Sequence, residues 1–216
     1  IMVWGPSLAA ILISWRDGQL MELLGRVVKT STIPLSAWVL VVAPIALLLL
    51  LRPSAPEDTT QIGMGLVVAM VAFNLILGPL GEELGWRGYF QEELNQQVGW
   101  LEASLLIGVI WFVWHLPLWA VDSPHAQIAP SLFAGHVMCY AIIIGAAYTL
   151  SSGSILPAIL IHLTLNLASN LAVFAGFREP NTWFSSSLPL YALLSLIAIL
   201  LVYARTGQIG FRWFSA

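Results

Sequence analysis

Charge is what this sequence has least of. Only 9% of its 216 residues are Asp, Glu, Lys or Arg, against about a quarter in an ordinary soluble domain, so water cannot be the solvent for most of its surface. Basic residues are the scarcer kind: eight Lys and Arg leave a net charge of -3. They form no stripe able to displace counterions from a polynucleotide, which excludes a nucleic-acid partner. The single cysteine, Cys139, has no internal disulfide partner and lies in an apolar run, where it reads as a small packing residue. The single lysine, Lys29, sits in a connection, so no helix offers an amine for a retinal-type Schiff base. Fixed-period repeats, low-complexity tracts and long linkers are absent as well, so the chain reads as one transmembrane domain over residues 1–216 with a motif-bearing core over about 62–176.

Apolar residues are abundant, at 59%, as expected of a chain that faces lipid on its outside and packs on its inside. The expected fold class is an all-α, polytopic membrane helical bundle. Runs bounded by polar breaks fall at Ile1 to Trp15, Pro34 to Leu51, Ile62 to Gly81, Trp100 to Val121, Ile128 to Leu150, Ser154 to Gly176 and Leu188 to Ala204, which makes seven membrane helices. The first is short of the roughly 20 residues that span a bilayer and is expected to be the end of a truncated helix, with residues upstream of Ile1. Turn formers such as Pro53, Pro56, Ser123, Pro124, Gly153, Pro180 and Asn181 fill the breaks. The stretch from Arg16 to Lys29 has helical spacing and reads as a connecting helix at the interface. Tryptophans near span ends, Trp38, Trp100, Trp119, Trp183 and Trp213, fit interfacial belts. Basic residues set orientation: Arg16, Arg26, Lys29, Arg87, Arg205 and Arg212 fall on one side, Arg52 and Arg178 on the other. The C-terminal tail of a multi-pass plasma-membrane protein is therefore expected in the cytoplasm.

Against this background, Gly81-Glu82-Glu83-Leu84-Gly85-Trp86-Arg87-Gly88 places two adjacent carboxylates at the end of an apolar span, where charge is expensive unless it is paired or used. If a helix starts at Gly81, both lie in its first turn, where the dipole favours them. Glu83 and Arg87 are then i and i+4 and neutralise each other, while Glu82 points about 100° away. Two imidazoles join them. His115 lies within Trp111-Phe112-Val113-Trp114-His115, just before a helix-breaking Pro117, and His162 has Asn166 on the same helical face four residues on. His115 is about 15 residues, roughly 20 Å, into its span. The glutamates can meet it only if their helix starts inside the membrane, after a break at Gly78-Pro79. His125, in an outer connection, and His136, inside a span, read as structural.

The E-E-x-x-x-R element from Glu82 to Arg87, the element ending at His115 and the H-x-x-x-N element from His162 to Asn166 resemble, in order, the three signatures of the CAAX protease and bacteriocin-processing family, also called Abi. The resemblance covers roughly Ile62 to Asn170. One position departs from it: Trp111 stands where the family usually has Phe, and reads as an aromatic packing residue. The resemblance implies an intramembrane endopeptidase in which Glu82 activates a water, His115 holds and polarises it, and Glu83 and Arg87 support the site. His162 and Asn166 would stabilise the oxyanion, since donors aimed at a developing negative charge lower the barrier.

Two matters stay open on the sequence. Glu82, His115 and His162 could supply three ligands to a catalytic zinc with one position left for water; the same residues can also work without an ion, and the local H-E-x-x-H spacing is absent. The expected partners are membrane lipids and a peptide or protein substrate arriving from the membrane or the cytoplasmic side. A non-catalytic binding or immunity protein of the same family ranks second. A proton-coupled transporter ranks third, since no internal repeat supports it.

Overall fold

The computed structural model describes residues 2–51, 63–173 and 179–211. Ile1, Arg52, Pro53, Pro56, Ile62, Gly176, Arg178, Arg212 and Trp213 lie outside these residues. Among the described residues every regular element is helical. In chain order the helices are α1 (Gly5–Arg16), α2 (Leu20–Val27), α3 (Leu35–Leu51), α4 (Met64–Ile76), α5 (Pro79–Gly85), α6 (Glu92–Gln97), α7 (Trp100–His115), α8 (Pro130–Leu150), α9 (Leu156–Val173) and α10 (Pro180–Thr206). A π-helical turn, Trp86–Gln91, joins α5 to α6. Two 3-10 turns, Leu116–Trp119 and Pro124–Gln127, lie between α7 and α8.

Five stretches are long and apolar enough to cross a membrane: Met64–Gln97, Trp100–Trp119, Pro130–Leu150, Leu156–Val173 and Pro180–Thr206. The chain is an all-α, multi-pass membrane protein. Each of the other two expected spans also holds a helix, but a shorter one: 17 residues in α3 and 12 in α1. α2 has the amphipathic character that its spacing predicts, with Leu23 buried and Met21 exposed.

α8 is the central helix. It packs against α7, α9 and α10, and its glycines let neighbouring backbones come close, the usual device where lipid supplies no hydrophobic drive. A Cβ on Gly108 of α7 would come 2.8 Å from Met138 Sδ of α8, and Gly145 of α8 lies directly against Ser104 of α7. α4, by contrast, leaves Leu66, Val68, Phe73 and Ile76 exposed, as a lipid-facing helix should.

Proline moves three boundaries away from the sequence expectation. α10 begins at Pro180, not Leu188, because proline is favoured in the first helical turn, where its missing N–H has no partner to lose. For the same reason α5 begins at Pro79 rather than Gly81. α7 stops at His115 because Pro117 cannot continue its ladder. Two tryptophans assigned to interfacial belts are interior instead: Trp183 is wholly buried and Trp100 nearly so.

Candidate active site

The site is built on a broken membrane helix. α4 ends at Ile76 and α5 starts at Pro79, and the residue between that permits the break is Gly78. A Cβ there would lie 2.9 Å from the backbone oxygen of Asn74 and 2.9 Å from Nδ2 of Asn166, closer than any side chain tolerates. The short α5 is enclosed by protein, not lipid. Its Gly81 is covered by the backbone of Val3 and its Gly85 by Pro6, so the segment leading into α1 shields it on one side. Glu82 falls in the first turn of α5 and Glu83 just beyond.

Both carboxylates are buried, and each is held differently. Oε1 of Glu83 accepts from Arg87 Nη1 at 3.0 Å and from His162 Nδ1 at 2.7 Å. Glu83 and Arg87 have no exposed surface at all. Glu82 engages no cation directly. Its Oε2 accepts from the indole nitrogens of Trp86 at 3.1 Å and Trp111 at 2.7 Å. The π-turn starts at Trp86, yet both i, i+4 pairs, Glu82 with Trp86 and Glu83 with Arg87, form across the junction. The ring of Trp111 also lies 5.2 Å from the Arg87 guanidinium, within cation-π range.

The histidines are oriented by their Nδ1 atoms. His115 Nδ1 lies 2.8 Å from the carbonyl oxygen of Trp111. A carbonyl can only accept, so Nδ1 carries the proton and a neutral ring keeps its lone pair on Nε2. His162 is pinned by Glu83, which leaves its Nε2 on the side of Gly78 and the cavity. Among the described residues Asn166 makes no side-chain hydrogen bond, and its amide nitrogen abuts Gly78.

One cavity of about 250 Å³ is lined by Glu82, His115, His162 and Asn166 together. Three separate helices thus deliver their polar residues to one enclosed space, with Glu83 and Arg87 just behind it. Among the described residues no group of three or more His, Cys, Asp and Glu side chains is spaced to hold a metal ion. The trio Glu82, His115 and His162 is thus not so spaced in this arrangement.

The cavity also contains residues to which the sequence assigns no role. His125 reaches in from the outer connection, its ring 5.8 Å from that of His115. Burial first, and then the neighbouring His115, lower its pKa from 6.5 to about 4. Asn74 and Asn170 also line it, joined by a 2.6 Å hydrogen bond from Asn170 Nδ2 to Asn74 Oδ1. Asn170 was within reach of sequence reasoning, because it repeats the His162–Asn166 step once more along the same face of α9. His125 gives no such signal; only the folding of its loop brings it in. His136 is structural, as expected: Nδ1 meets the Leu132 carbonyl at 2.9 Å and Nε2 meets Ser187 Oγ of α10 at 3.0 Å.

A buried carboxylate pair with two imidazoles and an amide around one cavity defines a class of membrane proteins with a polar reaction or binding chamber among their helices. Comparison with known proteins gives the similarity. Residues 64–168, just under half of the chain, match the model for the type II CAAX prenyl endopeptidase Rce1-like family. The matched stretch contains all three motifs, so this part of the chain is similar to that family. A relative from Methanococcus maripaludis, named CAAX prenyl protease 2, is 33% identical over 108 residues, which cover 47% of this chain and 40% of the relative. The aligned part thus spans well under half of that protein's length.

Proposed function

We propose that the chain is an intramembrane endopeptidase that hydrolyses a peptide bond with a water activated by Glu82. The observation that carries this reading is the convergence of Glu82, His115, His162 and Asn166 on a single cavity. A carboxylate and a neutral imidazole facing one space are the groups needed to hold a water by both of its protons and take one of them.

In this reading the free oxygen of Glu82 accepts one proton of the water and His115 Nε2 accepts a hydrogen bond from the other. The water oxygen attacks the substrate carbonyl carbon. The C=O π electrons move to oxygen, and the proton passes to Glu82. Asn166 Nδ2 donates to the oxyanion. His162, held by Glu83 at 2.7 Å, joins it as a second group facing the oxyanion. Collapse of the tetrahedral intermediate breaks the C–N bond, and Glu82 returns its proton to the leaving amine.

The substrate enters from the membrane or the cytoplasmic side, and the protein resides in the plasma membrane with its C-terminal tail in the cytoplasm. The name of the archaeal relative supports including prenylated C-terminal peptides among the substrates tested. The test is cleavage of a fluorogenic peptide library, with and without such peptides, by protein in detergent, beside Glu82→Gln and with or without a zinc chelator. Cleavage by the native chain, its loss in Glu82→Gln and indifference to the chelator are expected. Equal cleavage by the variant sinks the mechanism, and loss with the chelator returns zinc to it.

A further inference from the structure

The two indoles on Glu82 point to a role that packing does not require. We infer that Trp86 and Trp111 are positioning residues that select which oxygen of Glu82 takes and returns the proton; this rests on the hydrolytic reading above. Both indole N–H groups converge on Oε2, at 3.1 and 2.7 Å. An indole nitrogen donates and never accepts, so a proton placed on Oε2 would face two N–H groups and find no acceptor. Oε1 is the remaining seat. The water's proton therefore goes to Oε1 as its oxygen bonds to the carbonyl carbon, and leaves from Oε1 to the amine nitrogen as the C–N bond breaks. Glu82 then need not rotate between the two transfers, because one oxygen serves both.

Trp111 also explains why this position carries more than an aromatic ring. Its carbonyl holds the His115 Nδ1 proton. Its ring packs edge-on to His162, with centroids 5.0 Å apart, and lies against Arg87. A phenylalanine would keep the carbonyl, the edge contact and the cation-π contact. It would lose the bond to Glu82 together with part of the indole's buried bulk, which the benzothienyl ring used below retains. Trp86 is the weaker partner by distance, and its ring also forms a wall of a separate apolar groove against Pro6 and Trp114.

The experiment compares native protein with Trp111→Phe and with Trp111 replaced by 3-benzothienylalanine, whose ring has the same shape but carries sulfur in place of N–H. A hydrogen bond to a charged group contributes on the order of ten- to a hundredfold. We expect kcat to fall by about that factor in both variants, with KM within about twofold. A second readout needs no activity: in protein labelled with indole ¹⁵N, Glu82→Gln should shift two indole N–H resonances, those of Trp86 and Trp111. Native kcat in the benzothienyl variant, or unmoved resonances, overturns the inference while the peptidase reading stands on the inactivity of Glu82→Gln. A native chain that cleaves nothing, or a Glu82→Gln chain that cleaves normally, overturns both.

Discussion

Removing the charge of Arg87 while keeping its bulk should cost the protein a large part of its stability. Arg87→Met leaves Glu83, which has no exposed surface, with His162 as its one remaining hydrogen-bond partner. The lost contact is a 3.0 Å ion pair whose two side chains have no exposed surface. Breaking such a buried pair from one side costs about 3–5 kcal/mol, because the other charge stays behind without its guanidinium partner. For a chain of this size each kcal/mol moves the melting midpoint by about 2–4 °C, so a drop of roughly 6–20 °C is expected. The assay is thermal unfolding in a mild detergent, followed by tryptophan fluorescence. Glu83→Gln/Arg87→Met forms the other arm. The amide oxygen of Gln still accepts from His162 Nδ1, and no orphaned charge remains, so the double variant should recover to within about 2 kcal/mol of native. A single variant that melts within about 2 °C of native, or a double variant as unstable as the single, would refute this account of the buried pair.

Gly78→Ala should fold but lose activity. The added methyl must displace the amide of Asn166 or the backbone of Asn74, both 2.9 Å from its position, at a cost of about 1–3 kcal/mol; activity equal to native would show that the break has slack. His125 adds a pH dependence. Its pKa is lowered from 6.5 to about 4, so between those values the unfolded chain binds more protons than the native one. Stability therefore rises with pH across that window and is lost as pH falls through it. His125→Ala should flatten this part of the melting-midpoint profile, and superimposable profiles would count against the buried placement of the ring.

The membrane class and the site-bearing segments were legible because composition and spacing act locally. An i, i+4 pair such as Glu83 and Arg87, or His162 and Asn166, needs only a helix to share a face, and the break at Gly78-Pro79 followed from comparing depths along two spans. Boundaries set by proline were less legible. Pro180 reads equally as a turn former and as the first residue of a helix, and here it is the second. What the sequence could not show were contacts made across the bundle. Trp111 looked like packing because its nitrogen has no visible partner until α7 lies beside α5. Trp183 looked interfacial because its position in the run says nothing about which neighbour covers it. His125 looked peripheral because two short turns fold it inward.

The interruption at Gly78 also bears on how the proposed reaction would meet water. Drawn as one straight helix, the 34 residues from Met64 to Gln97 would run about 51 Å at 1.5 Å per residue, far beyond a hydrocarbon core of about 30 Å, and would carry the glutamates along an outer face. Broken after only 13 residues, or about 20 Å, the chain instead turns its carboxylates inward while still within the depth of the bilayer. Water there is a reagent rather than a solvent. On the hydrolytic reading proposed above, the same bend that makes room for the carboxylates also encloses the water they would activate within a protein-walled cavity of about 250 Å³.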